Sequence, residues 1–306
     1  MSLMNQPYPS VLTLVAGPDN GPLDRDHIKQ VQIALEPLGI ATGDVTWLAP
    51  ELACDIQLEA CDADQVEAAV EQALRKTQID IFAQPVEGRR KSLLLADMDS
   101  TIIAEESLDE LAGYLGLKDK IAAITARAMA GELDFEAAVT ERVGLLAGLP
   151  ESAILKAVDE MTINPGAKEL VATMKAHGAT CLLVSGGFEH FTGAVAAQLG
   201  FDDHQGNQLE IADGKMTGKI AGVIRNQQAK LDKLNEMAAS LGLPLTAAMT
   251  VGDGANDVPM LQAAGAGVAY HAKPVAAKAA RFRVSYSDLS ALLYIQGYKR
   301  DEFATG

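Results

Sequence analysis

No stretch of this chain approaches the roughly 20 consecutive apolar residues needed to cross a bilayer. The first residues have neither a basic segment nor an adequate apolar core, so no secretory signal is expected. Cysteine is scarce: Cys54, Cys61 and Cys181 are odd in number and form no CxxC pair. Three reduced, mostly buried thiols in the cytoplasm, a reducing compartment, are the expectation. Positive charge is short as well, with 25 basic against 41 acidic residues and a formal net charge of −16. Such a field argues against nucleic acid or an anionic membrane as a partner. An anionic substrate would have to be met locally, by a few cations and a metal. A Walker A pattern is absent. The hexapeptide Gly252-Asp253-Gly254-Ala255-Asn256-Asp257 starts like a dinucleotide fingerprint, but Asp257 stands where the third glycine is required. An EF-hand loop from Asp97 fails in the same way, with Ile102 at its sixth position and Leu108 at its twelfth.

At 306 residues the chain is long for one core, and its 48% hydrophobic and 22% charged content is that of an ordinary globular protein. Met1-Ser2-Leu3 precedes a second methionine, Met4, and is read as a leader outside the fold. Residues 1–85 read as one unit. Strands at Val11–Ala16, Val45–Leu48, Cys54–Ala60 and Ile79–Ala83 alternate with amphipathic helices running from Ile28 to Leu38 and from Asp62 to Leu74. The order βαββαβ is the split, ferredoxin-like pattern. No acid pair, phosphate loop or nucleophile beside a base occurs in it.

Residues 86–306 read as an α/β unit with a Rossmann-like parallel sheet. The apolar run Leu93–Ala96 suggests a strand buried on both faces. It ends abruptly in Asp97-Met98-Asp99-Ser100-Thr101. Two carboxylates at a strand end repel each other unless a cation sits between them, and carboxyl ends of strands are where ligands bind in open α/β sheets. Residues 104–165 carry helical pattern and no convincing strand, too long for an ordinary crossover, and are expected to form an inserted helical cap. Strands resume at Thr180–Val184, ending in Ser185-Gly186-Gly187, in a hairpin of Leu209–Ile211 with Met216–Ile220, at Ala247–Val251 before the hexapeptide, and at Ala266–Tyr270. A helix from Gln227 to Leu241 holds Lys230 in its first turn, and another begins at Pro274. The loops after the strands at 93, 180 and 247 lie on one sheet edge and can converge on a single site.

Each motif has a duller reading: a solvated turn for either acid cluster, a strand-to-helix turn for the glycines, a solvated helix face for Lys230. Together they are the parts of phosphoryl transfer. A carboxylate attacks phosphorus, cations offset anion–anion repulsion, and a second acid moves protons. In this order the motifs resemble those of the haloacid dehalogenase-like phosphatases, most closely the branch that hydrolyses phosphoserine, over residues 90 to 290. The resemblance implies Asp97 as nucleophile and Asp99 as general acid/base. It implies Mg²⁺ held by Asp97, the Asp99 carbonyl and Asp253, and the phosphoryl group held by Ser185, Gly186, Lys230 and Asn256. It also implies that Glu106 meets a substrate ammonium, that Arg142 meets its carboxylate, and that Met129 and Phe135 close over it, although ordinary helix packing explains the last two equally well. An acid and a planar cation are what a zwitterionic head group requires. Met98 departs from the family, where phenylalanine is common, and is expected to pack away from the ligand edge.

The implied activity is hydrolysis of a small phosphomonoester, phosphoserine, with Mg²⁺. The same chemistry on another phosphomonoester or another hydroxyl acceptor is the neighbouring reading. An amino-acid-sensing regulator with an inert phosphatase half is the reading from a different class. The 1–85 unit resembles, by pattern alone, small ligand-sensing ACT-like domains; whether it binds an amino acid or serves a homodimer stays open at this level.

Overall fold

The computed structural model describes residues 8–129 and 132–305. The N-terminal part runs β1 (Ser10–Ala16), α1 (Arg25–Leu35), β2 (Thr42–Ala49), β3 (Ala53–Leu58), α2 (Ala63–Ala73) and β4 (Ile79–Pro85). Its sheet has the order β2-β3-β1-β4 with antiparallel pairing throughout. Period-two alternation sends Leu12, Leu14, Cys54 and Ile56 to one face, where they pack on Ile28, Val31 and Leu35 of α1 and Val66 and Val70 of α2. Asp24 starts α1 by accepting the N–H groups of Asp26 and His27. The opposite face is buried too. Val15 and Phe82 share a cluster with Phe282 and Leu289, and Gln84 donates to the Ile295 carbonyl at 2.7 Å.

The second part is a seven-stranded sheet. It comprises β5 (Leu93–Ala96), β6 (Thr180–Phe188), β7 (Asp203–Ala212), β8 (Lys215–Ala221), β9 (Ala248–Gly252), β10 (Ala266–Tyr270) and β11 (Phe282–Val284). The order is β11-β10-β9-β5-β6-β7-β8, parallel except for the β7–β8 hairpin. Strand β5 is central and wholly buried. Leu94 and Ala96 face one cluster, while Leu93 and Leu95 face another with Leu182, Leu234 and Met260, which is why this strand reads as an unbroken apolar run. Each leucine contributes on the order of 2 kcal/mol by burial.

Between β5 and β6 stand α3 (Ser107–Gly113), α4 (Lys118–Met129), α5 (Phe135–Gly144), α6 (Glu151–Asp159) and α7 (Ala167–Ala176). The chain leaves and re-enters the sheet layer side by side. Ile103 bridges Ile163, the Ala104 N–H donates to the Thr162 carbonyl at 3.0 Å, and the Asn164 N–H donates to the Ile102 carbonyl at 2.9 Å. The far end of the inserted helices is tied to the β7–β8 hairpin by Gly148–Met216, Leu149–Met216 and Glu151–Gly214 backbone bonds. The remaining helices are α8 (Glu189–Leu199), α9 (Gln227–Ser240), α10 (Val258–Ala263), α11 (Pro274–Ala279) and α12 (Ala291–Ile295). No helix among the described residues is long and apolar enough to cross a membrane.

Two sequence expectations need correction. The strand expected at Thr180–Val184 continues to Phe188, so Ser185-Gly186-Gly187 lies in extended chain and not at a helix start. Val184 pairs with Gln205 and Phe188 with Asn207, so four steps on β6 oppose two on β7 and the segment bulges outward. The hairpin strand expected at Leu209–Ile211 begins at Asp203, in a polar run whose pairing with β6 overrides weak propensity. A short edge strand, β11, follows α11. Met98 is buried in the main apolar cluster, as expected.

Candidate active site

The ends of β9, β5 and β6 are neighbours on one sheet edge, and their loops meet around a cavity of about 180 Å³. Asp97 follows β5 directly and is 3% exposed. Its Oδ1 accepts the Met98 N–H at 2.8 Å and lies 2.5 Å from Lys230 Nζ. Its Oδ2 takes no hydrogen bond from the described residues, so one oxygen is committed and the other is not. Burial and the nearby Asp257 carboxylate push the Asp97 carboxyl well above the usual range, against the pull of Lys230.

Lys230, in the first turn of α9, is 2% exposed, not a solvated lysine. It bridges Asp97 and, at 2.6 Å, Asp257 Oδ1. Burial alone would lower its pKa; the two carboxylates outweigh that and raise it. Lys230 therefore stands behind the nucleophile candidate and off the cavity wall. Asp257, which carried no separate role in the sequence reading, completes the pair. Its Oδ2 accepts the Gly254 N–H at 3.0 Å, and a Cβ at Gly252 would lie 2.4 Å from its Cγ, so only glycine fits there.

Asp99 sits two residues on, in a tight loop where Ser100 takes a left-handed φ of 55°. Its Oδ1 accepts the Ser107 N–H at 2.7 Å, and its Oδ2 accepts the Ser185 hydroxyl at 2.7 Å. The first turn of α3 and the β6 bulge thus hold the second acid between them. A Cβ on Gly187 would lie 2.6 Å from Asp99 Oδ2. The Gly187 N–H is already spent on Ser185 Oγ at 2.8 Å. The glycine segment therefore serves first to admit Asp99, a role its turn-like composition did not reveal. Buried Asn207 fixes the bulge by donating to the Gly186 carbonyl at 2.7 Å while its Oδ1 accepts the Arg225 N–H.

Glu106 and Arg142 both line the cavity. Glu106 Oε1 accepts the Ser100 hydroxyl at 2.9 Å. Partial withdrawal from water and the Asp99 charge push its carboxyl up. Arg142, in the last turn of α5, donates from Nε to the Ala138 carbonyl at 3.2 Å. Among the described residues no carboxylate lies within ion-pair distance of it. Burial lowers its pKa, partly offset by Asp109 and Glu106. Asn256, Ser185 and Gly186 also line the cavity. The side chains of Met129 and Phe135 lie outside what the structure describes. Lys273, which the sequence reading missed, extends from the β10–α11 loop to within 3.1 Å of Asp253 Oδ2 and 3.9 Å of Glu106 Oε1. Its only sequence signal was a cation just before Pro274.

Asp97, Asp253 and Asp257 each offer a carboxylate oxygen, all within 4.8 Å of one another. Burial raises the Asp253 carboxyl, against the pull of Lys273. Three buried carboxylates this close, two of them pushed upward, form a hard-oxygen set short of positive charge and suited to a divalent cation.

Residues 94–262 match the haloacid dehalogenase-like hydrolase family model, and the chain belongs to that family. A phosphoserine phosphatase of Streptomyces coelicolor is 43% identical over 234 residues, covering 76% of this chain and 57% of that protein. The match therefore spans little more than half of that relative's length. A phosphoserine phosphatase of Streptococcus thermophilus is 42% identical over 205 residues, covering 67% of this chain and 95% of that protein. A crystal structure of a haloacid dehalogenase family hydrolase from Salmonella enterica serovar Typhi superposes with a TM-score of 0.83 at 32% identity. That likeness covers 94% of this chain and 97% of the other, and so takes in both sheets.

Proposed function

We propose that this chain hydrolyses O-phospho-L-serine to L-serine and phosphate through an aspartyl-phosphate intermediate. The relatives at about 42% identity support the reaction. The observation that carries the substrate is that Glu106 and Arg142 share one cavity with Asp97: an acid for an ammonium and a fork of N–H donors for a carboxylate, beside the attacking group.

The unbonded oxygen of Asp97 attacks phosphorus and the seryl C–O oxygen leaves, forming an acyl phosphate. Asp99 gives its proton to that departing oxygen. It then takes a proton from the water that attacks the acyl phosphate, releasing phosphate and regenerating Asp97. Lys230 draws Asp97 toward its ionised form, against burial and Asp257, and Ser185, Gly186 and Asn256 receive the phosphoryl oxygens. Mg²⁺, held by Asp97, Asp253 and the Asp99 carbonyl, would supply the positive charge that lets two anions approach. We place the domain boundary at residue 85/86 and the cap at 104–165, and we read the N-terminal ferredoxin-like unit as an ACT-like domain that supplies no catalytic group.

A phosphate-release panel with and without EDTA tests this. Phosphoserine should be turned over well above phosphoglycolate, EDTA should abolish turnover, and Asp97→Asn should retain the fold with no measurable activity. Equal use of phosphoglycolate would refute the substrate assignment. Substantial Asp97→Asn activity would refute the mechanism.

A further inference from the structure

The loop that brings Lys273 to the cavity is held from two sides. On the near side the Lys273 N–H donates to the Asp253 carbonyl at 2.8 Å. On the far side the His271 N–H donates to the Val284 carbonyl at 2.8 Å, and the ring Nε2 donates to the Ser287 carbonyl at 2.9 Å. His271 has a φ of +42°, a conformation that persists only where neighbours impose it.

Segment 285–287 is in turn held by the other sheet. Asp80, near the start of β4, is 3% exposed. Its Oδ1 accepts the Ser285 N–H at 2.8 Å, its Oδ2 accepts the Ser287 N–H at 2.8 Å, and the Tyr286 N–H reaches both oxygens at 3.3 and 3.2 Å. Charge-assisted bonds to three successive backbone groups are strong where water is excluded. Close approach at Gly17, where a Cβ would lie 2.7 Å from Tyr286 Cβ, locks the same segment from a second strand end.

We propose that Asp80, in the N-terminal sheet, is a positioning residue for the active site: through segment 285–287 and His271 it fixes where Lys273 stands between Asp253 and Glu106. The ferredoxin-like unit thereby reaches the cavity by backbone and ring contacts. The kinetic part of the argument rests on the phosphoserine reading; the structural part does not.

Hydrogen exchange on the full chain tests it. In Asp80→Asn the amides of 271 and 273 should exchange about tenfold faster, with those of β9 unchanged. Glu71→Gln, which breaks the exposed Glu71–Arg283 contact across the same boundary, should leave 271 and 273 as in wild type. The KM for phosphoserine should rise several-fold in Asp80→Asn with kcat nearly constant, and this rise should vanish in a Lys273→Met background. Unchanged exchange in Asp80→Asn, an equal loosening in Glu71→Gln, or a KM effect that survives Lys273→Met would each overturn the proposal. If Asp80→Asn does not fold, His271→Asn, which tolerates positive φ but cannot reach Ser287, must show the same faster exchange. If wild type fails to release phosphate from phosphoserine, the substrate reading falls, and the exchange comparison still decides the role of Asp80.

Discussion

Lys230 is the residue on which the charge balance of the site turns. It is buried with two carboxylates, and removing one member of such a group leaves the others uncompensated, at about 3–5 kcal/mol. Lys230→Met should therefore lower unfolding stability by about that much in urea titrations with EDTA present, besides abolishing turnover. Glu106 supplies a prediction in pH. Its carboxyl is raised by withdrawal from water and by Asp99, so it keeps its proton to higher pH than an ordinary glutamate near 4.5. Its charge, which the proposed ammonium contact requires, is lost correspondingly earlier as pH falls. The ratio of KM for phosphoserine to KM for phosphoglycolate should climb on acidification, beginning above that ordinary value, and Glu106→Gln should flatten it. A ratio independent of pH in wild type would remove Glu106 from ammonium recognition.

At the scale of elements, the β6 bulge and the β7–β8 hairpin act together. Asn207 joins them, and losing one buried bond of this kind costs on the order of 1–2 kcal/mol. Asn207→Ala should reduce kcat/KM about tenfold, since the bulge carries Ser185, which holds Asp99; activity equal to wild type in steady-state assays would contradict this. Strands whose residues are apolar on both faces, such as β5, were legible in the sequence, and so were Asp97, Asp99 and Asp253 behind them. Strand β7 was not, because Asp203 to Gln208 form a polar run that only pairing makes a strand. Lys230 was found by motif, but its burial was invisible, since a first-turn lysine has the same local sequence whether solvated or enclosed. Asp257 and Lys273 were hidden for a related reason: each gains its role from a partner far away in the chain, Lys230 for one and Glu106 for the other.

On the scale of the whole molecule, the two sheets share one apolar cluster, with Val15 and Phe82 beside Phe282 and Leu289. Ion pairs flank it: Arg89 with buried Asp55 at 2.7 Å, and Arg281 with Glu67 at 3.1 Å. Scanning calorimetry of the full chain should accordingly give one cooperative transition; two resolved transitions would mean that this boundary contributes little.

The neck at Ile103 and Ile163 carries a historical consequence. Because the chain departs from the central strand and returns beside its own exit point, everything between can lengthen, shrink or be exchanged without disturbing a single pairing of β5. The proposed nucleophile, Asp97, belongs to the sheet, while Glu106 and Arg142 belong to the insertion. Apart from Ser107, whose N–H holds Asp99, the groups proposed for the reaction and those proposed for choice of substrate are thus carried on separable stretches of gene. A lineage can retain the first while trying out the second, and a laboratory can graft one cap onto another core at the same two residues.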